Sequence, residues 1–123
     1  MTGFASLAMV NLDCADPAAL VDFYHAVLGW EITYRDENYG MISANGTAIG
    51  FGKVADYQLP RWPEADSPKR FHLDLSVDDL DKAEASCLEL GAGKPEFQPG
   101  ADRWRVLTDP AGHPFCICAK QDS

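Results

Sequence analysis

Basic residues are scarce in this chain of 123 residues. Lys and Arg number 10 against 19 Asp and Glu, which gives a formal net charge of −9 at pH 7. Nucleic-acid binding depends on clustered Lys and Arg that neutralise phosphates, so the composition argues against that class of partner. An acidic surface favours small neutral or cationic partners instead.

Long apolar runs are also lacking. Charges and glycines interrupt every run well short of the roughly 20 apolar residues that a membrane span needs. Residues 1–3 carry no basic region of the kind that begins a signal peptide. We therefore predict a cytoplasmic protein with no membrane partner.

Cysteine is present, but not in the pattern of a metal-binding or redox pair. The four cysteines, Cys14, Cys87, Cys116 and Cys118, include no C-x-x-C spacing. A domain of this length folds without covalent crosslinks, so reduced thiols are expected. Cys116 and Cys118 are two residues apart on a predicted strand, which places both sulfur atoms on one face of it.

The most informative stretch runs from Arg70 to Leu80. Its first half alternates apolar and polar residues, which predicts a strand, and its second half supplies Asp residues that can begin a helix. His72, Asp74 and Ser76 then share one face of the strand. A histidine beside a carboxylate makes this face the first place to look for chemistry.

The same strand-to-helix unit occurs twice. One helix is predicted to begin at Asp16 and end at Leu28-Gly29, and another to begin at Asp78 or Asp79 and end at Leu90-Gly91. Gly29 and Gly91 are 62 positions apart, about half the chain. Each half is too small to bury its own core. The halves should therefore pack together as a single duplicated domain over 1–123.

Alternation and turn signals predict the strands. They lie at 7–12, 31–35, 39–43, 47–53, 72–77, 95–97, 104–108 and 115–119. The order strand, helix, three strands recurs in modules at about 4–54 and 70–120, separated by a long loop at 54–69. This order predicts an α+β domain whose sheets curl around a shared cleft with the helices outside.

Three motifs resemble the vicinal oxygen chelate superfamily, which includes glyoxalases, extradiol dioxygenases, fosfomycin-resistance enzymes and bleomycin-binding proteins. They are 16–30 with Phe23-Tyr24 and Leu28-Gly29-Trp30, the strand His72-Leu73-Asp74-Leu75, and the turn at 109–115. The similarity covers nearly the whole chain. It implies a βαβββ module used twice, with the sheets forming a cup that often holds a divalent metal.

The resemblance implies metal ligands that this chain mostly lacks. Members that bind a metal typically use two histidines and one or two glutamates, and the matching positions here are Met9, His72, Cys116 and a position near Gly50. Only His72 keeps the expected residue type, whereas a catalytic metal usually has three protein ligands. His72, Cys116 and Met9 would form a soft, copper-like set that a cytosolic protein would not often use. We therefore predict no metal site and no cofactor.

The role of His72 stays open between an acid/base or hydrogen-bonding group and a structural histidine. Asp74 could orient His72 only if the strand curls, because positions two apart on a strand are about 6–7 Å from each other. Asp74 otherwise supplies negative charge or caps a backbone donor.

Three hypotheses for function follow. The first is a small-molecule-binding protein, monomeric cup or homodimer, that takes an aromatic or cationic ligand without transforming it. The second is a glyoxalase-like lyase, isomerase or epimerase in which His72 is the general acid/base, or in which a metal is held by residues outside the family pattern. The third is a structural or regulatory partner that uses the aromatic residues of 54–69. The predicted pocket is lined by Met9, Asn11, Phe51, Tyr57, Trp62, His72, Asp74, Trp104 and Cys116.

The loop at 54–69 is predicted to close over the pocket. Pro60 and Pro63 stiffen the backbone around Trp62, while the loop ends stay free to hinge. Trp62 would then stack on a bound ligand. The alternative, that Trp62 covers an edge of the core or a dimer partner, is equally open.

Overall fold

The structure is a computed structural model, and it describes residues 3–60, 71–100 and 102–120. Contacts along the chain divide it into two compact units, Met1–Tyr57 and Gln58–Ser123. The boundary falls inside the loop that the sequence predicts between the two modules. Each unit contains one helix and one sheet.

The first unit has the βαβββ order that the sequence predicts. Its elements are β1 (Val10–Cys14), α1 (Pro17–Leu28), β2 (Glu31–Arg35), β3 (Tyr39–Ala44) and β4 (Thr47–Lys53). The sheet has the strand order β1-β4-β3-β2, with β1 parallel to β4 and the other pairs antiparallel. The parallel pair arises because α1 carries the chain across one face of the sheet.

Local sequence defines both ends of α1. The Asp16 side chain accepts a hydrogen bond from the Ala19 N–H, Pro17 is the first helical residue, and Gly29 ends the helix in the left-handed conformation with φ 72°. The stripe that α1 buries consists of Pro17, Leu20, Val21, Phe23 and Tyr24. A Cβ at Gly40 would overlap the Val21 side chain, so glycine there lets α1 approach β3 closely.

The second unit is smaller and has three strands. Its elements are β5 (Leu73–Val77), α2 (Leu80–Glu89), β6 (Trp104–Thr108) and β7 (Pro114–Ala119). The central strand β7 is parallel to β5 and antiparallel to β6. The Asp79 side chain begins α2 by accepting a hydrogen bond from the Lys82 N–H at 3.1 Å, so Asp79 is the N-cap of the two aspartates that the sequence offers.

Charged side chains hold α2 against the sheet. Arg105 on β6 lies 2.8 Å from an Asp81 carboxylate oxygen and 3.3 Å from one of Glu84. Lys94 lies 3.1 Å from Glu84 on its other side. Cys87 is the buried residue of α2, so this helix depends on ion pairs more than α1 does.

Two strand predictions are corrected. The first strand is predicted at 7–12 but pairs over Val10–Cys14. Its register on β4 places Leu12 beside Phe51, on the side that α1 covers. Packing against the core therefore determines the bounds of β1, and alternation in the sequence alone does not define that packing.

The strand predicted at 95–97 does not form. The Gln98 side chain makes the hydrogen bonds to β6 that the predicted strand would have made. Its amide donates to the Val106 carbonyl oxygen and accepts from the Val106 N–H, both at 2.9 Å. Gly93 adds an isolated bridge to Thr108. Pro95, which has no N–H to donate, makes a paired strand at this place unfavourable.

The loop predictions fall largely on residues 61–70, which lie outside the described residues. Trp62 is among them, so its closing over a ligand stays a prediction. Within the described part of the chain, no helix is long and apolar enough to cross a membrane.

Candidate functional site

The sheet of the second unit has one side toward α2 and one side away from it. Arg105 reaches the α2 carboxylates and therefore lies on the helix side. Side chains alternate along a strand, so Trp104 and Val106 lie on the other side. Register assigns to this side, which we call the distal face, the residues Asp74, Ser76, Trp104, Val106, Cys116 and Cys118.

Three chemically active side chains converge at one edge of the distal face. The His72 Nε2 atom lies 3.3 Å from Asp74 Oδ1. A ligand atom from each of His72, Asp74 and Cys116 lies within 4.8 Å of the other two. We call these three residues the His–Asp–Cys cluster.

Contact between His72 and Asp74 is closer than their spacing suggests. The distance of about 6–7 Å that the sequence implies separates backbone positions two apart on a strand. His72 precedes the first residue of β5, Leu73, so the strand ladder does not fix its direction. The His72 and Asp74 side chains therefore come within 3.3 Å of each other although their backbone positions are farther apart.

Exposure differs across the cluster. The side chains of His72 and Asp74 are 23% and 63% exposed, whereas Cys116 is 2% exposed. Cys116 lies on the central strand β7, and its register places Cys116 directly beside Asp74. The cluster thus has a buried thiol and a carboxylate that solvent can reach.

The donor set of the cluster fits a divalent metal of intermediate softness. Catalytic zinc sites combine three protein ligands, drawn from His, Cys and carboxylate, with one open position. Two nitrogen or oxygen ligands that each lie about 2.0–2.1 Å from a tetrahedral zinc ion are about 3.3 Å from each other. The His72 Nε2 and Asp74 Oδ1 atoms are separated by this distance. A metal bound here would supply Lewis-acid chemistry. The prediction of no metal site counted only family positions, and Asp74 is not one of them.

The first unit offers a different environment at the predicted site positions. The Tyr39 hydroxyl donates to Asn11 Oδ1 at 3.1 Å and lies 3.6 Å from the Met9 sulfur. A Cβ at Gly50 would overlap both the Tyr39 hydroxyl and the Asn11 oxygen. The space for a carboxylate at position 50 is therefore occupied by a tyrosine that the sequence analysis did not single out.

Tyr39 could have been found from the hairpin. Asn45-Gly46 sets the pairing of β3 with β4, and alternation from that turn places the Tyr39 side chain on the same side of the sheet as Gly50. The length of its side chain then lets the hydroxyl reach the neighbouring strand.

Phe51 belongs to the core of the first unit. It is fully buried and stacks on Tyr24 of α1, with ring centroids 5.5 Å apart and planes 9° from parallel. This packing gives Phe51 a structural role in the core, and its contact with a ligand stays a prediction. Tyr57 is half-buried at the end of the unit, and its ligand role stays a prediction.

Trp104 lies on the distal face and is half-buried. The Arg103 guanidinium lies 5.3 Å from the centroid of the Trp104 ring system. A Cβ at Gly100 would overlap the indole, so glycine at this position makes room for it. The structure thus places a fixed aromatic surface on the same sheet face as Asp74 and Cys116.

Comparisons with known proteins agree with this architecture. The chain is similar to a glyoxalase/bleomycin resistance protein/dioxygenase family enzyme from Burkholderia phytofirmans PsJN, at 28% identity and a TM-score of 0.68, covering 94% of this chain and 98% of that one. The chain is also similar to a possible glyoxalase from Bacillus cereus, at 19% identity and a TM-score of 0.67, covering 92% of this chain and 97% of that one. It is similar to the bleomycin-binding protein from Streptomyces verticillus, solved with copper(II)-bleomycin, at 16% identity and a TM-score of 0.57, covering 98% of this chain and 100% of that one.

No curated protein matches the chain. The family described as glyoxalase-like domain matches residues 9–118. That match takes in the whole of both sheets except the last residue of β7, so this chain belongs to the glyoxalase-like domain family of the vicinal oxygen chelate superfamily.

Proposed function

We propose that this protein binds a small aromatic or cationic molecule on the distal face of the second unit. The observation that carries the proposal is the His72–Asp74 pair on the sheet face that also presents Trp104. Small-molecule sites typically combine a few convergent polar groups with aromatic surface. Family membership supports the same class of function.

Charge favours a cationic ligand. Asp74 is mostly exposed, and the chain carries a net charge of −9, so a cation gains both a local partner and a favourable long-range potential. The Trp104 indole, beside which the Arg103 guanidinium already lies, offers apolar surface for the aromatic part of such a ligand. Met9, Asn11 and Tyr57 remain predicted ligand contacts, and so does Trp62, which lies outside the described residues.

The test is a titration with three matched probes, followed by NMR of the labelled full chain. The probes are benzyltrimethylammonium, its uncharged carbon isostere and an aromatic carboxylate, each added to chelator-treated protein. We expect the cation to bind most tightly and the carboxylate least, with shifts centred on Trp104 and Asp74. Failure of all three to bind at millimolar concentration would contradict the proposal.

Two variants locate the site. Asp74→Asn should reduce the preference for the cation over its uncharged isostere, because it removes the negative charge at the site. Asp78→Asn is the matched control, since Asp78 is an equally small carboxylate close by in the chain but outside the cluster. An equal effect of both substitutions would mean that only the overall acidity of the protein attracts the cation.

A second candidate function is that of a lyase or isomerase with His72 as general acid/base. The 3.3 Å contact favours it, because a carboxylate that holds an imidazole fixes its orientation for proton transfer. Deuterium uptake from D₂O at the carbon next to the carbonyl of α-hydroxy carbonyl compounds would detect such chemistry. The candidate requires uptake by the wild type that His72→Gln abolishes.

We also infer a cytoplasmic homodimer. None of the four cysteines forms a disulfide, which fits a reducing compartment. Light scattering of the purified chain tests the dimer, and a mass of one chain at micromolar concentration would overturn it.

A further inference from the structure

We propose that the distal face binds an aromatic zwitterion, a small molecule with an ammonium group at one end and a carboxylate at the other. Asp74 would receive the ammonium group, the Trp104 indole the aromatic body, and Arg103 the carboxylate. The inference rests on the proposed function, because it adds a third contact to the same site and so narrows the class of ligand. Arg103 is a residue that the sequence analysis did not single out.

Arg103 brings a positive charge to the distal face. It precedes Trp104, the first residue of β6, so strand alternation does not fix the direction of its side chain. Its guanidinium lies 5.3 Å from the centroid of the Trp104 ring system, and Trp104 lies on the distal face. The guanidinium is therefore beside the aromatic surface that the ligand would use.

Arg103 can offer hydrogen-bond donors to a ligand. The residue is exposed, and no carboxylate in the described part of the chain lies within ion-pair distance of it, whereas Arg105 is paired with Asp81 and Glu84. A guanidinium that lies beside an aromatic ring still donates from its edge, and that edge matches the two oxygens of a carboxylate. Arg103 is thus suited to hold a ligand carboxylate in a fixed direction.

Asp74 supplies the opposite charge on the other edge strand. Its side chain is 63% exposed, and one of its oxygens, Oδ1, contacts His72. A carboxylate has about four acceptor positions, so this contact leaves acceptor positions for an ammonium group. Asp74 lies on β5 and Arg103 precedes β6, with the central strand β7 between them. The two charges therefore flank the distal face from opposite edges of the sheet.

The register of the sheet determines how far apart the two ends of the ligand must be. Asp74 pairs with Cys116 on β7. Trp104 pairs with Cys118, two residues further along β7. Strands about 4.8 Å apart and residues about 3.3 Å apart place the backbone positions of Asp74 and Trp104 roughly 12 Å from each other. A ligand that reaches both charges is therefore extended, with its charged groups at opposite ends.

The charges on this face rank three classes of ligand. An aromatic carboxylate without a cationic end meets Asp74 and the net charge of −9, which oppose its approach. An aromatic cation gains the contact with Asp74 and leaves Arg103 unused. A zwitterion of sufficient length gains both contacts, so it should bind more tightly than a cation of the same shape.

The experiment titrates the full chain with a rigid biphenyl that carries an aminomethyl group at one end and a carboxylate at the other. The matched probe is its primary carboxamide, which has the same shape without the negative charge. We expect calorimetry to show about 3- to 10-fold tighter binding of the zwitterion, the order of a bidentate Arg–carboxylate contact at an exposed site. The single-ring analogue, para-(aminomethyl)benzoate, is too short to reach both charges, so its carboxylate should give no such preference.

Variants at two arginines assign the carboxylate contact. Arg103→Gln should abolish the preference for the biphenyl zwitterion over its carboxamide, and Arg103→Lys should keep part of it, because lysine retains the charge without the guanidinium fork. Arg105→Gln is the matched control, since it removes the same charge two residues further along, on the helix side of the sheet. The preference should persist in that variant. Circular dichroism confirms that each variant is folded.

Two results would overturn the proposal. They are equal binding of the biphenyl zwitterion and its carboxamide by the wild type, and an equal loss of the preference in Arg103→Gln and Arg105→Gln. Either result leaves the proposed function intact, provided that benzyltrimethylammonium still binds. The proposed function fails separately, when neither benzyltrimethylammonium nor the cationic biphenyl carboxamide binds. The two failures are therefore distinguishable.

Discussion

The two units share the order strand, helix, strands but hold their helices by different forces. In the first unit, α1 buries a continuous apolar stripe that includes Leu20 and Tyr24. In the second, α2 buries Cys87 and is tied to β6 through Arg105. Burial of large apolar side chains contributes about 1.5–3 kcal/mol each, whereas exposed ion pairs contribute about 0–1 kcal/mol.

The sheets differ in the same direction. The first unit completes four strands with backbone pairing, while the second has three and satisfies the outer edge of β6 partly with the Gln98 side chain. A side-chain amide satisfies the edge of β6 with fewer residues than a strand would need, but the pairing of that edge then depends on a single residue. The difference shows that one pattern of elements can be built from redundant contacts or from a few individual ones.

The faces away from the helices also contrast. In the first unit, the Tyr39 hydroxyl fills the space beside Gly50 and satisfies Asn11. In the second unit, a nitrogen, an oxygen and a sulfur donor converge. The unit with the smaller buried helix surface thus presents the chemically active groups.

The largest predicted effect is on the free energy of unfolding, and it tests the contrast between the two helices. Leu20→Ala in α1 removes a side chain that is 1% exposed and should lower the free energy of unfolding by about 2–5 kcal/mol. Leu88→Ala in α2 removes one that is 40% exposed and should cost less than about 1 kcal/mol. Urea unfolding measures both. Equal losses would show that α2 is buried as deeply as α1.

A smaller effect tests the contrast between the sheets. Gln98→Ala leaves the buried N–H and C=O of Val106 without the amide partners they have now, which should cost about 2–4 kcal/mol. Glu96→Ala is the control, because Glu96 is exposed in the same segment. Hydrogen exchange at the Val106 amide should accelerate in the first variant only. Unchanged protection would mean that another group replaces Gln98.

The ion pairs should contribute less still. Arg105→Gln removes the contacts to Asp81 and Glu84 and should cost up to about 1 kcal/mol, decreasing as salt screens the charges. Arg35→Gln in the first unit removes a pair with Asp22 in which both side chains are more exposed than those of the Arg105–Glu84 pair, so its effect should be smaller. Unfolding at low and high salt compares the two. A larger loss from Arg35→Gln would reverse the contrast.

The smallest effect is a local titration in the first unit. The Tyr34 hydroxyl, and then the N–H groups of Asn38 and Tyr39, donate to Asp36 and lower its pKa. Stability from this carboxylate is present above its unfolded pKa of about 4 and is lost as pH falls through the lower folded value.

Tyr34→Phe removes the donor that lowers this pKa most, so the pKa of Asp36 should rise and the loss should occur at higher pH. A titration of the Asp36 carboxyl carbon by NMR measures the change. Tyr39→Phe keeps the backbone donor and removes a hydroxyl that binds Asn11 instead. It should leave the pKa of Asp36 unchanged, and a matching rise in both variants would contradict this origin of the shift.

Much of the fold could be predicted because its signals are local. Asp16 and Gly29 define α1 by satisfying or redirecting nearby backbone groups, and Asn45-Gly46 defines a hairpin. The strand predicted at 95–97 failed because alternation shows that a segment could pair, but not whether an edge is already satisfied. A side chain from Gln98 competes for that edge only after the chain has folded.

The candidate site was predictable in part. Alternation placed His72 and Asp74 on one face, and the structure brings them into contact. The core position of Phe51 was not predictable, because a strand residue has two possible faces and only the packing of α1 shows which face is covered. Tyr39 was missed because its hydroxyl acts on a neighbouring strand.

The sequence by itself determined the helices, the turns, the acidic charge and the side-by-side placement of His72 and Asp74, since each depends on residues close together in the chain. Only the tertiary structure decided that Cys116 lies beside Asp74, because the parallel register of β5 and β7 joins segments some 40 residues apart. That register depends on which faces of the strands are buried. The three-donor cluster therefore exists only in the folded protein.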